Sequence, residues 1–568
     1  MGLSLKDLQH ITKCNNTVVE KILAKIKSID DPAKKEVFVQ QAMHLIGAWS
    51  CHYSSDVLER YFLGIASQYS SPKPLPDFVK DTVLHVMTET YKTGGHTRVV
   101  ERWVKADGVS RRQSLLLTSC ESRDIPSVLQ SVIESSGGSI YQLRDTASDL
   151  GKGLELRQIA AKYEYVVLHQ HDHDVIPIIA FGNMEFKSPV FLFNHADFRF
   201  TVGFSVTDKV LTLSSWSAAL ANNYRGINKT CHIPLLNDSK IKTLSNDMLA
   251  VRKELGLPLN KKIIVTAASS QKYKALGSTS LLNVANKIFA QIPNVIMIVI
   301  GAKSKTFPQY KKVLGSNNVN FVLLDLMPPL ELYKYFIAAN LIIDSIPLGG
   351  GAAMIDAMHC NRPILSLKNI VGQLDYLVHS EAYCDTEEIF IRKVTKILSS
   401  KNEALANIKN VKDCYAKYEY ASNEDWLAKL DLIYNSVAAH KIVEFKTPTA
   451  TTVSNLDLLH CNNSLKTMFS LKLLNIFSVS LYKNIFGKYI KVVMLTKYSR
   501  LLVINRKVKS VCNKKYGVPF LLEFVKNKDI FLSKKSMGFI FFGIKIFSYE
   551  RNCSKRACKL FGIPVYSK

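Results

Sequence analysis

The spacing of apolar positions changes along this chain, and each change predicts a different kind of element. Up to about residue 75, apolar side chains recur every three or four positions in KDLQHITKCNNTVVEKILAKIKSI and again in EVFVQQAMHLIGAW, which predicts helices with one buried stripe. The segment SSPKPLP (Ser70–Pro76) breaks that pattern and marks a boundary. Short apolar runs then take over. TVLHVMTE, SLLLTSC, EYVVLHQHD, SPVFLFNHAD and KVLTLSS read as strands, with a glycine turn and helix in TGGHTRVVERWVKADG and a helix around Ile125–Ser135 between them. A second series follows. Its strands are KKIIVTAASS, VIMIVIGA, VNFVLLDLM, LIIDSIP and RPILSL; its helices are NDMLAVRKELG, SLLNVANKIFAQI, ELYKYFIAAN and the one opened by GGGAAMIDAMHC.

Short apolar strands separated by helices imply parallel pairing in a doubly wound sheet covered on both faces. The two series divide near Ile233–Ser239. The predicted organisation is an α/β chain: a helical extension over 1–75, one Rossmann-like half over 76–235, and a second over 236–440. KTPTATTVSNLD (Lys446–Asp457), rich in Thr and Ser, makes 441–464 a linker. Beyond it, 465–568 interleaves Lys with Phe, Tyr, Ile and Leu. FFGIKIFS (Phe541–Ser548) and LFGIPVYS (Leu560–Ser567) repeat at an offset of 19, too few copies for a solenoid and consistent with a small β-unit.

Charge sharpens this division. The net charge of the chain is +27; residues 441–568 hold 24 Lys and Arg against 5 Asp and Glu, a net of +19, which leaves +8 for the first 440 residues. A basic, aromatic tail admits two functional readings, phosphate contact with base stacking on nucleic acid or attachment to anionic lipid. Apolar content such as FSLKLLNIFSVSLYKNIF favours an anionic membrane surface over nucleic acid; a small folded domain with a solvated basic face is the third alternative. The eleven cysteines form no CxxC pair, which argues against a zinc ribbon or a redox dithiol and fits a reducing compartment. The N-terminus lacks a signal-peptide pattern, Lys6 stands where N-myristoylation wants Ser or Thr, and no apolar run reaches about 18 residues. The expected location is cytoplasmic, peripheral on the inner face of the cytoplasmic membrane.

The strongest chemical signal is LIIDSIPLGGGAAMIDAMHCNRPIL (Leu341–Leu365). Gly349, Gly350 and Gly351 between a strand and a helix let backbone approach a ligand closely, and the N–H groups of Ala352 and Ala353 at the helix start would attract a diphosphate. No GK[ST] follows and there is no GxGxxG, so this is neither a Walker nor a dinucleotide loop; a tight structural turn is the plain alternative. The segment resembles the donor-binding element of GT-B glycosyltransferases, as in family 4 and the O-GlcNAc-transferase-like families. That resemblance implies that Asp356, one turn into the helix, reaches the ribose or sugar. Family 4 enzymes show two Glu eight residues apart where this chain has Leu348 and Asp356, so the O-GlcNAc-transferase-like pattern fits better.

The same resemblance extends to other loops. TAASSQKYKALG (Thr266–Gly277) would offer Ser269 and Ser270 to the donor, and Lys272 or Lys274 to neutralise the leaving diphosphate. LDLMPPLE (Leu324–Glu331) would read the base through Leu326 or Met327. TETYKTGGHTRVVERW (Thr88–Trp103) resembles the N-terminal glycine loop, with Gly94 and Gly95 opening a helix and His96 and Arg98 facing donor or acceptor. In LHQHDHDVIP, His169, His171 and His173 alternate along an extended strand. They fan out rather than converge, so no metal is expected, and His171 or Asp172 would enter the cleft. NHADFRF sends His195 and Asp197 toward the same cleft. A His beside a carboxylate suits a general base for an acceptor hydroxyl, with a hydrogen bond inside the loop as the alternative.

The resemblance thus implies a GT-B architecture: two Rossmann-like domains facing a cleft, an N-terminal helical extension and a small basic C-terminal region. The implied activity is transfer from a nucleotide-sugar, UDP-sugar favoured, to a glycan, lipid-linked or protein hydroxyl, in bacterial cell-surface polysaccharide or glycoconjugate synthesis. The nucleotide-sugar is a co-substrate, and no cofactor is required. The ending FGIPVYSK also resembles terminal elements of enzymes that build such polysaccharides. Two other readings stay open: a sugar-nucleotide epimerase of GT-B-like fold, and a non-catalytic basic binding protein.

Overall fold

The structure is a computed structural model. It describes residues 5–49, 52–91, 95–119, 125–144, 148–195, 197–236, 246–274, 279–307, 309–369, 371–419 and 422–448, with seven backbone strands beyond residue 490. The chain forms two compact units, residues 1–16 with 45–461 and residues 17–44 with 462–568.

The first unit holds two parallel sheets. Strands β1 (Val79–Met87), β2 (Arg112–Leu117), β3 (Ile140–Gln142), β4 (Tyr163–His169), β5 (Val190–Phe193), β6 (Lys209–Thr212) and β7 (Thr230–His232) pair in the order β3-β2-β1-β4-β5-β6-β7. Every neighbouring pair is parallel. The second sheet comprises β8 (Lys262–Ala267), β9 (Val295–Ile300), β10 (Phe321–Leu324), β11 (Leu341–Ile343), β12 (Ile364–Leu367) and β13 (Tyr383–Cys384), in the order β10-β9-β8-β11-β12-β13, again all parallel. Each sheet therefore reverses its winding once, between β1 and β4 and between β8 and β11. Loops leaving adjacent strands at such a point diverge and open a crevice at the carboxyl ends, where ligands bind in sheets of this kind. The doubly wound α/β expectation holds for both halves.

The elements follow from local sequence. Helix Leu281–Gln291 starts where the Ser280 hydroxyl accepts the Leu282 N–H at 3.2 Å, and it buries Leu281, Leu282, Val284, Ala285, Ile288 and Phe289, one face at helical spacing. Helix Asp56–Gln68, in the predicted N-terminal extension, is built into the first half. Its Glu59 carboxylate is buried and accepts the N–H groups of Gly203, Phe204 and Ser205 at 2.9, 3.1 and 2.6 Å. Helix Asn423–Asn435, which the apolar pattern assigns to the second half, packs on the first. Trp426 Nε1 donates to the Pro234 carbonyl at 2.9 Å, its ring meets Trp103 edge-on at 5.1 Å, and Tyr434 stacks on Tyr165 at 4.2 Å.

In the second unit the C-terminal strands are antiparallel. β14 (Lys491–Leu495) lies between β15 (Arg500–Ile504) and β16 (Phe520–Glu523). β17 (Ser536–Phe541), β18 (Ile544–Asn552), β19 (Lys555–Leu560) and β20 (Ile563–Val565) form a meander. The repeated octapeptides run from β17 into β18 and from β19 into β20, where Phe541 pairs with Ile544 and Leu560 with Ile563. Among the described residues no helix is long and apolar enough to cross a membrane.

Candidate active site at the paired strand ends

Because the winding reverses between β8 and β11, the loops after them border one crevice at the carboxyl ends of the sheet. The loop after β11 is organised by Asp344, which is 2 % exposed. Its Oδ1 accepts the N–H groups of Ser345 at 2.8 Å and Gly350 at 2.6 Å, and its Oδ2 accepts from Asn369 Nδ2 at 2.8 Å and Ser366 Oγ at 3.2 Å. Burial pushes this carboxyl upward, opposed by those donors and by the nearby Lys272. The glycines are required by contact. A Cβ on Gly349 would lie 2.6 Å from the Gly372 carbonyl oxygen, and one on Gly350 would lie 2.9 Å from Asp344 Oδ1. Gly351 has φ +60°, in the region that disfavours other residues.

From the loop after β8, Lys272 Nζ donates to the Gly349 carbonyl at 2.6 Å. Burial lowers its pKa, while Asp344 and Asp197 oppose the shift. Of the two lysines proposed to meet a diphosphate, Lys272 is the one whose ammonium touches the glycine turn. Lys274 is half-buried just beyond the short helix Ser270–Tyr273, whose N-cap is Ser269. Ser269 is half-buried and Ser270 exposed. Leu326, 61 % exposed, and half-buried Met327 lie in the loop after β10. Gly301 joins that loop to the loop after β8: a Cβ there would meet the Ala268 carbonyl oxygen at 2.1 Å and Leu326 Cδ2 at 2.9 Å. Half-buried Ala352 and Ala353 open the helix Ala352–Met358.

Asp356 departs from expectation. It is fully buried, and two arginines of the first half hold its oxygens: Arg98 Nη2 at 3.0 Å from Oδ2 and Arg102 Nη2 at 2.8 Å from Oδ1. Arg98 also donates to Tyr333 Oη at 2.9 Å. In this arrangement Asp356 and Arg98 tie the two halves together, and the carboxylate is not presented to a ribose. The physical reason is burial: a carboxylate without water needs cations, and the helix Gly95–Asp107 supplies two at i and i+4.

On the first half, the ends of β1, β4 and β5 carry the histidines. Asp174 gathers three strand ends, accepting from Thr88 Oγ1 at 2.7 Å and Thr118 Oγ1 at 2.5 Å and capping Ile176 N–H at 3.1 Å. His171 lies 3.1 Å from Tyr91 Oη and 3.8 Å from Glu89 Oε1. His96 stacks on His195 with ring centroids 4.1 Å apart, and its buried Nδ1 has no hydrogen-bond partner among the described residues. Burial, reinforced by His171 and Arg199 and opposed by Asp172, pushes His96 down to about 4. Asp172 is 3.5 Å from Arg199. Asp197 accepts a hydrogen bond from Ser217 Oγ. Burial raises its pKa, against Ser217, Arg225 and, from the second half, Lys272. Gly95 is exposed with open space around its Cβ position, and Gly94 lies outside the described residues. Among the described residues no group of three or more His, Cys, Asp or Glu could hold a metal ion.

The structure therefore brings His96, His171 and His195 together on one half, and Lys272 with Gly349–Gly351 on the other. Sequence reasoning missed Asp344 and Arg102. Each carried a signal: a polar residue ending an apolar strand, or a second arginine one helical turn after Arg98.

No protein-family model and no curated protein matches the sequence. Solved structures do match. A glycosyltransferase from Rickettsia africae aligns with TM-score 0.50 at 13% identity, covering 63% of this chain and 99% of that one. An O-GlcNAc transferase mutant from Thermobaculum terrenum aligns at 0.46 and 12% identity, covering 74% and 81%. Anabaena Alr3699/HepE in complex with UDP-glucose aligns at 0.47 and 14%, covering 62% and 99%. With its two parallel sheets, this chain has the GT-B fold, as the sequence resemblance implies.

Proposed function

We propose that the chain is a glycosyltransferase that moves a sugar from a nucleotide-sugar to an acceptor hydroxyl. The observation that carries this reading is the meeting of Lys272 Nζ with the Gly349 carbonyl, 2.6 Å apart at the winding reversal of the second sheet. A cation beside a side-chain-free turn suits the diphosphate of a donor, where charge grows as the sugar leaves. Ala352 and Ala353 follow that turn, Ser269 and Ser270 lie on the loop that carries Lys272, and in this reading Leu326 and Met327 would contact the base. Lys274 is a second cation on the same loop. UDP-sugar is the donor to test first.

The first half would present the acceptor near His96, His171, Asp172 and Asp197. Of the three histidines, His195 is the base we favour, since it stacks on His96 and its Nε2 is held by His169 Nδ1 at 2.9 Å, which leaves Nδ1 for a proton. A base of this kind suits direct attack with inversion. The acceptor would be a glycan, lipid-linked or protein hydroxyl in bacterial surface-polysaccharide or glycoconjugate synthesis. The basic tail would hold the enzyme on the inner face of the cytoplasmic membrane.

Thermal melts with UDP, GDP, ADP and dTDP and their sugars test this directly. A ligand at about 100 times its dissociation constant adds about 2.7 kcal/mol of stability. One nucleotide should stabilise the wild type and leave Gly350→Val unshifted, because the valine would collide with the Asp344 carboxylate that shapes the turn. A panel without any shift removes the proposal. Conversion of a nucleotide-sugar without acceptor would replace it by an epimerase.

A further inference from the structure

Behind His195 a line of hydrogen bonds runs through the first sheet. His195 Nε2 lies 2.9 Å from His169 Nδ1, His169 Nε2 lies 3.0 Å from His85 Nδ1, and His85 Nε2 lies 2.9 Å from Gln113 Oε1. Gln113 Nε2 lies 2.8 Å from Asp107 Oδ2, and Asp107 Oδ1 is 2.6 Å from Arg111 Nη1. Asp107, Gln113, His85 and His169 are all fully buried, and His195 is half-buried. Trp103 meets His85 and His169 edge-on at 5.6 and 6.0 Å, and Phe193 stacks on His169 at 5.6 Å.

The direction of every bond follows from one end. The Asp107 carboxylate, paired with Arg111, can only accept, so Gln113 turns its amide N–H to Asp107 and its carbonyl to His85. His85 must then donate from Nε2 and accept at Nδ1. His169 in turn donates from Nε2 and accepts at Nδ1, which makes His195 a donor at Nε2. The remaining lone pair of His195 is left on Nδ1.

We propose that the chain Asp107–Gln113–His85–His169 is a positioning relay that holds His195 in its Nε2–H tautomer and spreads the charge it gains on taking a proton. This rests on the transfer reading for the identity of the proton donor, the acceptor hydroxyl. In that step the hydroxyl O–H breaks as His195 Nδ1–H forms, and the oxygen bonds to the anomeric carbon. The bond from that carbon to the diphosphate breaks, its electron pair leaving with the diphosphate. His195 Nε2–H can pass to His169 Nδ1 and His169 Nε2–H to His85 Nδ1, leaving one imidazolium on His85. Its Nε2–H still points through Gln113 toward the Asp107 carboxylate. Burial holds His85 at about 4 and His169 and His195 well below their ordinary range, so the line is neutral at rest. The charged or titratable groups facing it are His96 and His171 at His195, His96 at His169, and Arg111, Asp431 and Tyr434 at Asp107.

Long-range 1H–15N spectra of the full chain labelled with 15N-histidine, assigned by single substitutions, read the tautomers without any substrate. At pH 7, His85, His169 and His195 should all be neutral Nε2–H; an Nδ1–H form at any of them overturns the proposal. Gln113→Leu and, should that variant fail to fold, Gln113→Met should mix the tautomers. They should also lower kcat roughly tenfold or more with the donor KM unchanged, and move the acidic limb of the kcat profile to lower pH. Wild-type tautomers, kcat and pH profile in a folded Gln113 variant overturn it as well. If the wild type turns over no nucleotide-sugar, the transfer reading fails, and the spectra still decide the relay.

Discussion

Glu419 shows how far one buried group can set a pH response. It is 2 % exposed, and burial, with Asp375 adding to it and the Tyr376 backbone opposing, pushes its carboxyl up to about 8. Between the ordinary carboxylate range and pH 8 the native state keeps a proton that the unfolded chain has released. Stability therefore falls as pH rises through that window. Glu419→Gln, neutral at every pH, should melt above the wild type at pH 8 by roughly 2 °C or more and show no such gain at pH 4. Equal melting curves at both pH values would refute the assignment. Gly349 and Gly350 were legible because only glycine tolerates a backbone or carboxylate at 2.6–2.9 Å from its Cβ position. Asp344 was not, since an acid ending an apolar strand looks the same whether it meets solvent or four donors.

At the scale of elements, the helix Gly95–Asp107 links the two halves through Arg98 and Arg102 on Asp356. Removing one cation leaves a fully buried carboxylate undercompensated, so Arg102→Ala should cost on the order of 3 kcal/mol in denaturant unfolding. Arg102→Lys should recover only part of this, because a point charge cannot reproduce the planar fork. A loss within about 0.5 kcal/mol of zero would mean that Asp356 finds other partners. The helix Asn423–Asn435 buries Trp426, Leu430, Ile433 and Tyr434, and its place within the span 236–440 leads to the expectation that it closes the second half. Position along the chain could not say which sheet those residues cover, because the partner of an apolar face is chosen by chain geometry. The histidine line has the same origin. His85, Gln113 and His169 are separated by 28 and 56 residues, and they meet because β1 lies between β2 and β4.

Over the whole molecule, charge divides the chain, with +19 in residues 441–568. If that region docks on anionic lipid, the full chain should sediment with phosphatidylserine vesicles at low ionic strength. Release should follow in roughly 0.5 M salt, where the screening length falls toward about 4 Å, and a chain ending at residue 464 should stay in solution. Equal binding by the shortened chain would remove the tail from this role. The sequence by itself determined two parallel α/β halves, the glycine turn and the basic tail. These depend on local spacing, backbone sterics and composition, each written within a few residues. Only the tertiary structure decided that Lys272 rather than Lys274 meets the turn, that Asp356 is held by arginines, and that His195 ends a buried line reaching Asp107. Those contacts join residues up to 258 apart in the chain. Their energies are set by burial and by what lies across a strand or cleft, and no local pattern encodes either.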